Sequence, residues 1–131
     1  MPAIPWKALC KPELEREYVA LLSYLPLKHF RAIPRFFQFT FETQRQLATA
    51  RGLIAYTLDA QPFRRKFWTL SVWEDSQALM EFVRTAPHSR IMQDLAPHMA
   101  KTEFVQWQVT ASDLPLKWPE AKLRLKLSGG F

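Results

Sequence analysis

The run from Tyr18 to Leu25, YVALLSYL, constrains the fold more than any other stretch, because it is apolar on both of the faces that a strand would present. At strand spacing Tyr18, Ala20, Leu22 and Tyr24 point one way, while Val19, Leu21, Ser23 and Leu25 point the other. Leu53–Leu58 repeats the pattern, with Ile54, Tyr56 and Leu58 opposed to Leu53, Ala55 and Thr57. A strand wetted on one face alternates apolar with polar residues. These do not, so the sheet they build needs a cover on each side.

Helices supply one cover. Ile33, Phe36, Phe37, Thr40, Gln44, Leu47 and Ala48 recur at helical spacing, Pro34 fits the first turn and Gly52 the stop, which predicts a helix over Ile33–Ala50. Phe39 and Phe41 fall off that stripe and need other neighbours. Asp59-Ala-Gln-Pro62 ends the second strand before a basic turn at Arg64, and Lys66–Trp73 forms a third strand in a long-looped hairpin. Asp75 and Ser76 can cap a helix carrying Ala78, Leu79, Phe82 and Val83 on one face, with Pro87 as its end. A shorter helical piece runs from Ser89 to about Ala96 and closes at Pro97, and Phe104–Thr110 is a fourth strand. The order β-α-β-β-α-β is the α+β, ferredoxin-like plan: an antiparallel sheet with both helices on one face.

The other face then needs a partner. A second copy packed sheet to sheet is the simplest, which predicts a homodimer enclosing a barrel between the two sheets. Residues 1–17, with Pro2, Pro5 and Pro12, read as an N-terminal arm, 18–111 as the domain, and 112–131 as an extension packing on the domain or on the partner subunit. In that extension Leu123, Leu125 and Leu127 alternate with Lys122, Arg124 and Lys126, a pattern suited to an edge strand.

Charge first suggests nucleic acid, since 18 Lys and Arg against 12 Asp and Glu leave a net +6. Its largest share falls on Lys28, Arg31, Arg35, Arg45 and Arg51, which read as the solvated side of the first helix. RNA-recognition domains share this element order but stack bases on strand-three aromatics within a pattern of set small residues. Here Lys66 and Trp68 occupy the small positions and Thr69 a stacking one, so RNA binding is disfavoured. Cys10 is the single cysteine, which precludes an internal disulfide and fits a reducing cytoplasm. No stretch is apolar for long enough to span a bilayer. With three glycines, none opening a helix after a strand, there is no phosphate cradle, and the histidines show no zinc-ligand spacing, so no metal is expected.

Strand three carries the most chemistry. Phe67, Thr69, Ser71 and Trp73 share a face that mixes hydroxyls with large aromatics, which suits an amphipathic pocket as well as it suits an ordinary strand near a seam. Tyr24, on strand one, is counted with Phe67, Thr69 and Ser71 as a candidate ligand contact.

The segment FWTLSVWEDSQALMEFVRTAPHS, residues 67–89, resembles the antibiotic biosynthesis monooxygenase domains of the dimeric α/β-barrel superfamily. It looks closer still to a group of bacterial proteins of unknown function related to spheroidene monooxygenase. The resemblance implies that Trp73 matches a cavity-lining tryptophan of the quinone-forming enzymes, and that Thr69 stands where those have an asparagine. Haem-degrading relatives place a ligand histidine about ten residues after the tryptophan, where this chain has Phe82 and Val83. The Pro87-His88 pair matches the family's Pro-His position and puts His88 near the cavity mouth. There His88 is a candidate general base, hydrogen-bond donor or axial haem ligand, or else it simply caps the short helix. The implied protein is a homodimer whose barrel encloses an apolar pocket lined by Phe67, Thr69, Ser71 and Trp73. Its expected chemistry is oxidation of a hydrophobic polycyclic or polyene substrate, with no cofactor or with haem. A carrier or structural dimer that holds such a molecule without transforming it fits the same residues.

Overall fold

Five strands form one sheet in the order β1-β3-β4-β2-β5, with every neighbouring pair antiparallel. In chain order they are β1 (Lys7–Ala8), β2 (Glu17–Pro26), β3 (Leu53–Gln61), β4 (Lys66–Trp73) and β5 (Glu103–Thr110). The helices are α1 (Ile33–Ala48), α2 (Ser76–Arg84), α3 (His88–Leu95) and α4 (Trp118–Leu127). Strands β2 to β5 with α1 and α2–α3 make the ferredoxin-like α+β core, and β1 adds two residues to the free edge of β3. The computed structural model describes residues 6–9, 16–85, 88–114 and 116–127. Pro2, Pro5, Cys10, Pro12, Pro87 and the side chain of Leu127 lie outside the described set.

Local chemistry explains the helix ends. Asp75 accepts a 2.8 Å hydrogen bond from the Ala78 amide and so caps α2. Gly52 turns the chain from α1 into β3 at φ 81°, and a Cβ there would stand 2.6 Å from the Cβ of Ala78. Both the positive φ and the contact with α2 call for glycine. Phe39 is buried, whereas Phe41 is exposed to solvent. Lys28, Arg31, Arg35, Arg45 and Arg51 are all exposed.

Pairing register sorts the strands into two faces. Leu25–Phe67, Ser23–Thr69, Leu21–Ser71 and Val19–Trp73 pair across β2 and β4, and this face lies under α1, α2 and α3. The opposite face presents Ala20, Leu22, Leu70 and Val72, each fully buried. A bulge between Leu53 and Ala55 reverses the parity of β3 there. Leu53 and Tyr56 therefore both face the helices while Ile54 packs on Val72, a mixing that strict alternation from Leu53 does not give.

The cover on the second face comes from the chain itself. Helix α4 lays Ala121 and Leu125 on Leu22 and Leu70, with Trp6, Leu116 and Trp118 around them. Lys122 fixes the helix across the sheet: its Nζ lies 2.5 Å from Asp59 Oδ2 and 3.9 Å from the centroid of Trp68. The edge strand expected from the Leu-Lys alternation is thus a helix. Spacing of i, i+2 cannot keep leucines on one helical face, and Leu125 is 1% exposed while Leu123 is 53% exposed. The apolar sheet face that called for a second copy is covered by residues 116–125 of the same chain.

Candidate functional site

On the helix-facing side the sheet's core is split in two. At one end Phe67 stacks on Phe36, ring centroids 4.2 Å apart, within a cluster that includes Phe39, Ile91 and Leu95. At the other, Trp73 packs on Phe82 at 5.1 Å among Leu47, Leu53 and Leu79. Between these plugs the strands carry Ser23, Thr69 and Ser71, whose short side chains cannot reach the helices. A cavity of about 750 Å³ results, within the ~300–1,000 Å³ typical of small-molecule sites. Its floor is the middle of β2 and β4, and α1, α2 and α3 form its roof.

The cavity lies between the sheet and the helices of a single chain, whereas the expected pocket lay in a barrel between two sheets. Thr69, Ser71, Trp73 and His88 all line it, so the residues drawn from strand three and from the Pro-His pair converge on one space. Phe67 and Tyr24 are not among its lining residues. Phe67 is fully buried as the end plug against Phe36 and Phe37. Tyr24 lies on the opposite face, 5.2 Å from Trp68 and beneath α4, because β2 residues of its parity all point there. Burial, with the Glu103 charge beside it, pushes the Tyr24 phenol up from its ordinary pKa.

One wall of the cavity is a connected row. The Trp73 indole Nε1–H donates to Ser71 Oγ at 2.9 Å. Accepting that bond leaves the Ser71 proton free to be donated to a ligand oxygen. Next to Trp73 stands Phe82, and the His88 ring lies 4.9 Å from Phe82 at an angle of 47°. His88 Nδ1 faces Val83 O at 3.4 Å, which favours the tautomer with hydrogen on Nδ1 and a free lone pair on Nε2. Burial lowers the His88 pKa from its ordinary value, and the Val83 carbonyl opposes this more weakly. The imidazole is therefore neutral at pH 7 and able to take a proton.

Among the described residues, no charged side chain lines the cavity. A haem would bring two propionates, and neither Lys nor Arg is there to meet them; the lining does not fit that group. No cluster of three or more His, Cys, Asp or Glu among the described residues stands ready for a metal ion. Sequence reasoning missed Ser23, which pairs with Thr69 on the floor. Its signal was the one small polar residue interrupting YVALLSYL. It also missed Met80, Met92 and Phe104, three exposed apolar residues at the cavity's edge, which carry no local pattern.

A ferredoxin-like sheet with a cavity under its helices is a fold that solved structures share, antibiotic biosynthesis monooxygenases among them. SnoaB, a cofactor-independent oxygenase from Streptomyces nogalater, solved in a mutant form, superposes with a TM-score of 0.60 at 16% identity, covering 75% of this chain and 97% of that one. An antibiotic biosynthesis monooxygenase superposes at 0.62 with 18% identity, covering 68% and 95%. A dimeric ferredoxin-like protein of unknown function from Thermobifida fusca gives 0.61 with 12% identity, covering 74% and 95%. By sequence, the chain belongs to the family described as domain of unknown function DUF3291, whose model matches residues 35–128. That match runs from α1 through α4, so the covering helix is part of the family's domain. Comparison with curated proteins returned no significant match. Among the described residues, no helix is long and apolar enough to cross a membrane.

Proposed function

We propose that this chain is an oxygenase that binds a hydrophobic, fused-ring or polyene molecule in the cavity beneath α1, α2 and α3. The observation that carries the reading is the row Ser71, Trp73, Phe82 and His88 along one wall of a cavity whose described lining carries no charge. Phe36 and Phe39 give flat apolar surface to the rings, and Leu79 adds aliphatic surface. The Ser71 hydroxyl, oriented by Trp73, donates to a carbonyl or phenol oxygen. Neutral His88 withdraws an acidic proton through Nε2, as a general base. The resulting carbanion or phenolate is electron-rich enough to reduce dioxygen directly. For a ring methylene the balance is a CH₂ and O₂ going to C=O and water. The name of the Streptomyces neighbour, a cofactor-independent oxygenase, supports this class of chemistry.

The test uses anthrone as the probe, because its methylene is acidic and its oxidation to anthraquinone is visible. Oxygen uptake with anthraquinone formation is expected. His88→Ala is expected to lower turnover by about 10²-fold, the lower end of general-base effects. Anthrone binding without oxygen uptake turns the reading to a carrier, which the uncharged lining among the described residues also supports. No binding at all removes both.

Assembly as a homodimer stays part of this proposal, in altered form. The Thermobifida neighbour is described as dimeric, but α4 takes the sheet face that two bare sheets would share. A second copy would then meet this one over α4 or along the outer edge of β5. A monomer by light scattering at micromolar concentration ends that part.

A further inference from the structure

A polar contact that the proposed chemistry leaves unused lies behind the cavity, on α1. Gln46 directs its side-chain amide into the connection between α2 and α3. Its Nε2 donates to Phe82 O and to Thr85 O, each at 3.3 Å, and its Oε1 accepts the His88 backbone N–H at 3.0 Å. Phe82 O and Thr85 O lie at the C-terminal end of α2, where each also accepts a backbone N–H, from Thr85 and from Ser89, while His88 N–H opens α3, where amides lack helical partners. One side chain therefore ties the end of one helix, the start of the next and a third helix together.

We propose that Gln46 is a positioning residue for His88. The described contacts of the imidazole include the Phe82 ring at 4.9 Å and Val83 O at 3.4 Å, both on α2. A backbone bond from Ser89 N–H to Thr85 O, 3.3 Å, also joins the start of α3 to the end of α2, and Gln46 braces the His88 backbone against that same end. The Nδ1 contact to Val83 is long for a hydrogen bond, so it does not hold the ring by itself. The chemistry of the clamp is specific, since it donates twice and accepts once from one planar group. A carboxylate cannot donate and an ammonium cannot accept. Without the clamp, the turn relaxes outward, His88 gains water, and its tautomer and depressed basicity are lost.

The inference rests on the general-base reading for its catalytic consequence, but not for its structural one. Gln46→Met keeps the length and removes both functions, and Gln46→Asn keeps both functions and removes a methylene of reach. In each folded variant the His88 ring carbons and nitrogens are followed by NMR against pH, with wild type alongside. The titration of His88 is expected to move up toward that of an exposed histidine, with mixed tautomers replacing the Nδ1–H form. Anthrone binding should stay within twofold of wild type while turnover falls at least tenfold. If Gln46→Met does not fold, the Gln46→Asn titration decides in the same way. A His88 titration and tautomer unchanged in the folded variant would overturn the proposal. If they shift as expected while His88→Ala keeps full turnover, the clamp stands and the general-base reading fails.

Discussion

Replacing Leu125 and Leu123 one at a time by alanine separates the helix from the edge strand that their spacing suggests. On a strand the two leucines would share a face and cost alike. On α4 they differ, with Leu125 1% exposed against Leu22 and Leu70, and Leu123 53% exposed. Leu125→Ala removes roughly three carbons' worth of burial at about 0.8 kcal/mol each, near 2.4 kcal/mol. The void left beside two leucines that are themselves fully buried adds to this, within the 2–5 kcal/mol seen for such truncations. A loss of about 3 kcal/mol is expected, which corresponds to a Tm lower by on the order of 10 °C. Leu123→Ala should stay within about 0.5 kcal/mol. Urea unfolding followed by tryptophan fluorescence reads both, since Trp68, Trp107 and Trp118 surround the site. Equal losses for the two variants would refute the helical cover.

Gly52→Ala is expected to cost about 1–3 kcal/mol, combining a positive φ with a clash against Ala78, and thermal melting measures it. Asp75→Ala should lose about 1 kcal/mol by removing the α2 cap, while Asp75→Asn retains most of it. Ser71→Ala leaves the buried Trp73 indole N–H without its acceptor, for a loss of about 1–3 kcal/mol and a changed tryptophan emission. His88 is harder to protonate folded than unfolded, so as pH falls below its ordinary 6.5 the unfolded chain takes the proton first. Stability should therefore decline below about pH 6.5 and level off once the folded imidazole titrates, and His88→Ala should flatten that decline in pH-dependent urea unfolding.

What could be read from the sequence was what is local. Lys66–Trp73, the Asp75 cap and the start of α1 depend on neighbours within a turn or a pleat, and they stand as the residues suggest. What depended on distant partners was not legible. Strand β3 runs on through Asp59 to Gln61, although that segment reads as a break. Asp59 is buried there by pairing with Lys122, 63 residues away. The bulge that turns Ile54 to the far face leaves no mark in an apolar run. Gln46 looks like a surface glutamine on any helical wheel, and only the packing of α1 against the α2–α3 connection gives its amide three partners.

The same distinction explains why the candidate site was half visible. Thr69, Ser71 and Trp73 share a strand face, and alternation alone establishes that much. Which cover that face meets depends on the cross-strand register and on the fate of residues 116–125. Once α4 occupies the far side, the hydroxyl face is left to the helices, where two aromatic plugs hold the roof off the floor. Phe67 and Trp73 are thus as necessary to the cavity as the residues that line its middle. They stand six residues apart on one strand face, about 20 Å at strand rise, and Thr69 and Ser71 lie between them. Large side chains at the ends and small hydroxyls at the centre are what keep the space open. Of the two apolar sheet faces, one is covered by α4 and the other by α1, α2 and α3, with the cavity beneath those three helices.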